Sequence, residues 1–173
     1  QAWALHLGGG YATWAGNVPL RLGVEFNYAT GDRDPADGRN GAFLNLFPTN
    51  HKFYGMMDVF SWKNLREVAF SLAAKPGENT RIKLEHHFFA LATTQDVWYR
   101  ANAVTAVRPL TAGARAASRR AGQETDLIVS RAFANRITLE AGYAHFFAGP
   151  YLEQTSGGSD DAGFGYVQFI FAW

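Results

Sequence analysis

Apolar and polar residues alternate with a period of two over seven stretches of this chain. That is the spacing of β-strands whose two faces meet different surroundings. At 2–13, Trp3, Leu5, Leu7 and Tyr11 share one face, with Ala4, His6, Gly8 and Gly10 opposite. At 19–30, Leu20, Leu22, Val24, Phe26 and Tyr28 oppose Arg21, Glu25 and Asn27. The alternation returns at 67–75 (Val68, Phe70, Leu72, Ala74) and at 81–93, where Ile82, Leu84 and Phe88 oppose Lys83, Glu85 and His87. It continues at 124–133 (Leu127, Val129, Phe133 against Asp126, Ile128, Ser130) and at 137–147 (Ile137, Leu139, Ala141, Tyr143 against Thr138, Glu140, Gly142).

The seventh stretch, 163–173, reads GFGYVQFIFAW and is the most informative. Val167, Phe169, Phe171 and Trp173 fall on one face, so the alternation runs apolar to the final aromatic residue. A strand whose outer side touches lipid, with an aromatic at the boundary, explains this pattern. Phe169, Phe171 and Trp173 are therefore read as a membrane-insertion strand. The competing reading is a strand buried in a soluble sandwich.

The connections alternate short and long. Turns at 15–17, 76–79 and 135–136 are tight, whereas 31–64, 94–122 and 150–162 are long. Outer-membrane barrels sort their connections in this way, with tight turns toward the periplasm and long loops outside. The expectation is an all-β, antiparallel transmembrane β-barrel, with seven or eight strands in this chain. Seven strands conflict with the even number usual for a bacterial barrel. Either an eighth strand lies at 51–62, or the chain is one part of a larger barrel. The second fits the loop sorting better, and further strands would then come from an N-terminal part or from another chain, because open edges do not persist in lipid.

Composition changes this picture little. The chain has 173 residues, 47% hydrophobic and 15% aromatic, at a mean hydropathy of −0.17. No run approaches the roughly 20 apolar residues of a membrane helix. The formal net charge of +1 gives no reason to expect nucleic acid. The absence of cysteine rules out disulfides and thiolate metal sites. Residues 1–10 have neither the charged nor the apolar region of a secretory signal.

The most distinctive motif spans 27–62, with Tyr28-Ala29-Thr30-Gly31-Asp32, Asp37-Gly38, the run Leu46-Phe47-Pro48-Thr49-Asn50-His51-Lys52-Phe53-Tyr54-Gly55, Asp58 and Phe60-Ser61-Trp62. With Ala73-Ala74-Lys75-Pro76, Asp96-Val97-Trp98-Tyr99 and Glu140-Ala141-Gly142-Tyr143 followed by His145–Gly149, nearly the whole chain resembles the alginate-export family of outer-membrane barrels. The resemblance implies one domain over 1–173, corresponding to the C-terminal part of such a barrel in the bacterial outer membrane. It implies a porin-like channel for a hydrated, anionic solute such as an acidic polysaccharide. The implied partners are outer-membrane lipid and lipopolysaccharide, the barrel-assembly machinery, and the polysaccharide or small solute.

Beside the resemblance, the residues point to an aqueous lining of Arg21, Glu25, Arg81, Lys83, Glu85, His87, Asp126 and Glu140. Rings of charge select ions in a wet pore, and Arg21, Arg81 and Lys83 are natural contacts for a carboxylate-bearing sugar. For any single residue, pairing that braces a plugged lumen is the simpler reading, and a small non-conducting structural or adhesive barrel is the alternative function. Asn50, His51, Lys52 and Asp58 form a candidate extracellular cluster, with a self-contained folded loop as the simpler reading. The arginines at 100, 108, 115, 119 and 120 suit either an acidic polymer or lipopolysaccharide phosphate on one hand, or a solvated loop on the other. Asp32, Asp34 and Asp37-Gly38 miss the spacing of a calcium loop. No cofactor or metal is expected, and no enzyme: His86 and His87 alternate faces and cannot converge on one substrate.

Overall fold

The computed structural model describes residues 1–47, 51, 53–133 and 136–172. Asn50, Lys52 and Trp173 lie outside the described residues. The strands are β1 (Ala4–Ala15), β2 (Val18–Ala29), β3 (Leu65–Gly77), β4 (Thr80–Leu91), β5 (Arg120–Phe133), β6 (Ile137–Ala148) and β7 (Ala162–Phe171). Each pairs antiparallel with its sequence neighbours, giving one sheet in the order β1 to β7. Among the described residues β1 and β7 do not pair with each other, so the sheet is open.

Short connections join β1–β2, β3–β4 and β5–β6 at one end; the three long connections gather at the other. Gly16, at φ +59, makes the first turn in a conformation that costs glycine nothing. Strand limits differ modestly from expectation. β3 runs through Pro76 to Gly77, where a turn was expected, with a register shift between Ala74 and Gly77. Proline has no N–H to give the ladder, which is why it sits at such an irregularity. β5 begins at Arg120 rather than Glu124, so the second long connection is shorter than expected. The described residues of 51–62 form turns and bends rather than an eighth strand.

The long connections are folded. α1 (Ala112–Ala116) is capped by the Thr111 side chain, and α2 (Pro150–Glu153) starts on a proline. They pack over one face of the sheet near its long-loop end, where Tyr54, Phe60, Phe89, Leu91, Trp98, Phe146 and Tyr151 form the core. Phe60 stacks between Phe89 and Trp98, at 4.4 Å from each. Asn64 ties two connections together: its amide donates to the Thr93 and Val97 carbonyls and accepts from Thr93 N–H. The opposite face is bare and apolar, and carries Leu22, Val24, Phe70, Leu72, Leu84, Phe88, Leu127, Val167, Phe169 and Phe171, all well exposed. An exposed apolar surface this continuous marks a contact surface.

Candidate functional site

On the covered face, strand alternation brings polar side chains from adjacent strands into one line. His6 Nδ1 meets Asn27 Oδ1 at 2.7 Å, and Asn27 Nδ2 donates to Glu67 Oε2 at 2.7 Å. His87 Nδ1 lies 2.6 Å from Glu67 Oε1, and its Nε2 lies 3.6 Å from Asp126 Oδ2. Glu67 and Glu124 are fully buried, and Asn27, His87 and Asp126 nearly so. Charges removed from water persist only with such partners. His87 is also stacked on Phe89, with the rings 5° from parallel.

The β2–β3 connection closes this line from above. Met56 N–H donates to Asp126 Oδ2 at 2.9 Å and Met57 N–H to Glu124 Oε1 at 2.8 Å. Gly55 makes the approach possible: its φ is +85, and a Cβ there would sit 2.6 Å from Glu124 Oε1. Trp98 Nε1 donates to the Val59 carbonyl at 2.9 Å and holds the same segment from the other side. Burial, then the charges of Glu67 and Glu25, push the Tyr54 phenol above its ordinary pKa and keep it neutral. Lys63, whose pKa burial pulls down against the opposing effect of Asp96, donates to the Ala103 carbonyl and sits 3.9 Å above the Tyr99 ring.

Below the inserted segment lies a cavity of about 660 Å³ that gathers Lys83, Glu85, His87, Asp126 and Glu140 from the expected lining, together with His51. Lys83 pairs with Glu85 at 2.5 Å, and Tyr166 donates to Glu140 at 2.7 Å. Arg21 lies in the same register row as Lys83, separated from it by Ala73. Arg81 is one step nearer the short turns, opposite Ser130. Glu25 sits on β2 beside Gly8, outside the cavity. The covered face is thus acidic toward the long loops and basic toward the short turns.

His51 pairs with Asp58 at 3.1 Å, as a loop held by its own contacts would. Two of the five arginines are also tied down: Arg108 donates to the Gly158 carbonyl and Arg115 to Gln95 at 3.0 Å. Sequence reasoning missed Glu67 and Glu124 as site residues, and did not single out His6 and Asn27. Their signal was parity, since each sits at a covered-face position near a long connection. Among the described residues no group of three or more His, Asp or Glu side chains is placed to hold a metal. His86 and His87 point to opposite faces: His86 bonds Thr125 and Gln123 on the bare side.

The family model for alginate export matches residues 1–165. No curated protein matches the chain. The match runs from β1 into β7 and takes in the charged covered face and the inserted segment alike. The chain belongs to the alginate export family, a transport family concerned with polysaccharide export.

Proposed function

We propose that this sheet is part of the wall of a β-barrel in the bacterial outer membrane, and that its covered face lines a water-filled conduit for a hydrated, anionic polysaccharide or smaller solute. The observation that carries the reading is the height of the bare apolar face. At its upper limit Arg66 and Arg120 flank Ala90; at its lower limit Arg131 pairs with Thr80. From Ala90 to Thr80 the strand covers roughly 33 Å at about 3.3 Å per residue, and a tilt of about 40° leaves a height of roughly 25 Å. At the tilt usual for such barrels, this span therefore matches the height of their apolar band. Several polar groups inside the band have partners: His86 with Thr125 and Gln123, Tyr143 with His145.

The conduit acts by electrostatics alone. Arg21 and Arg81 have no carboxylate partner among the described residues, whereas Lys83 is neutralised by Glu85. The arginine forks can hold a sugar carboxylate through paired charge-assisted hydrogen bonds. The inserted segment around Met56 narrows the path on the long-loop side. The same segment favours a second reading, a non-conducting structural or adhesive barrel whose lumen is plugged. Single-channel recording of the full-length protein in planar bilayers separates them. Discrete openings are expected, and changing Arg21→Glu with Lys83→Glu should move the reversal potential toward cation preference. A silent membrane supports the plug, and unchanged selectivity removes both residues from the path.

A further inference from the structure

Arg66 and Arg120 stand on either side of Ala90, which is the register partner of both. They face the same way because of a bulge. The register shifts between Phe89 and Ala90, so Ala121 is an extra residue in β5. Strict alternation from Asp126 and Glu124 would send residue 120 to the covered face. The bulge turns Arg120 onto the bare face instead, in line with Arg66. Bulges at sheet margins commonly re-aim a side chain in this way.

Both arginines are exposed, and neither has a carboxylate partner among the described residues. Between and below them lies a cleft of about 380 Å³, walled by Val68, Phe88, Phe147 and Pro150, with Gln123 at its side. Ala90 contributes only a methyl group, so the space between the two guanidinium stems is open. Alternate strands lie about 10 Å apart, a span that two arginine forks can close around one phosphate. An occupant must therefore be anionic at the top and greasy directly underneath. A free anion satisfies the arginines and leaves the apolar wall uncovered.

We propose that this cleft binds the phosphate-bearing headgroup of a lipid of the surrounding leaflet, with its phosphate between Arg66 and Arg120 and its acyl chains running down over Val68, Phe88 and Phe147. The proposal rests on the bare face meeting lipid, and not on conduction through the covered side.

Native mass spectrometry of the full chain in detergent tests it, with diphosphoryl lipid A as the probe. Lipid A should bind the unaltered protein, and Arg66→Ala with Arg120→Ala should weaken binding by about tenfold or more. Arg66→Lys with Arg120→Lys keeps the charge without the fork and should fall between. Arg33→Ala with Arg39→Ala, an equal loss of charge in an exposed connection, should bind as the unaltered protein does. Lipid A stripped of its phosphates should bind weakly, and inorganic pyrophosphate should not displace the intact lipid. Equal binding by the alanine pair, equal binding of stripped lipid, or displacement by pyrophosphate each overturns the proposal. Conductance is not read, so a silent channel leaves the result standing. Failure to hold any lipid overturns both the cleft and the lipid-facing assignment of the bare face.

Discussion

His86 and His87 are neighbours in β4 and have opposite surroundings. His87 is buried and belongs to a line that crosses the sheet from His6 in β1 to Asp126 in β5. His86 bonds only across to Thr125 and Gln123 on the next strand. On the covered face the buried polar groups of that line depend on partners brought by other strands and by the β2–β3 connection. On the bare face His86 and Tyr143 bond only to near neighbours, and apolar side chains dominate. One residue of offset along a strand therefore separates a shared buried network from an isolated pair.

The sharpest way to break this contrast is to remove a member of the network. Glu67→Leu takes a buried partner from both His87 and Asn27, and should cost about 3–5 kcal/mol of folding stability. Thr125→Val on the bare side should cost no more than about 1 kcal/mol. Urea titration of the folded, heat-modifiable form on gels compares the two, and similar losses would show that the faces do not differ in this respect. Next in size, Leu72→Lys places a charge in the middle of the apolar band and should cost about 2–4 kcal/mol. Gln168→Lys, on the covered face beside Glu140, should stay within about 0.5 kcal/mol. If both lysines are tolerated equally in lipid, the bare face does not meet hydrocarbon. The smallest effect concerns the inserted segment. Changing Glu124→Ala removes the acceptor for Met57 N–H, worth about 1.5 kcal/mol. Chymotrypsin should then cut near Tyr54 and Phe60 at least about tenfold faster than in the unaltered protein, because each 1.4 kcal/mol is a factor of ten in opening.

Strand number, strand order and the sorting of connections were legible because period-two alternation is a local signal. Leu127 and Val129 against Asp126 and Ile128 assign a face without knowledge of any neighbour. The family was legible from the long run at 46–55, since few sequences place such aromatic and polar residues in that order. The site was only partly legible. Parity correctly put Lys83, Glu85, His87, Asp126 and Glu140 on one side, and the cavity unites them. It could not show that Glu124 receives a backbone N–H from Met57, because that contact joins residues 67 positions apart. Nor could it find Arg120 on the bare face. A bulge inverts parity beyond it, and the neighbouring Gly122 marks a bulge no more than it marks the end of a loop. Pro76 misled in the other direction, as proline suits a strand margin as well as a turn.

Every strand here is laced only to the strand before it and the strand after it. Such a meander can be laid down hairpin by hairpin, with little chain entropy lost at each step. The distant ties are concentrated elsewhere: Asp32 with Asp96, Asn64 with Thr93, and Val59 with Trp98. These can close only once β2 through β4 are in place. The long connections are consequently the last parts to set, and damage to them should hasten unravelling while barely slowing the zippering of the sheet.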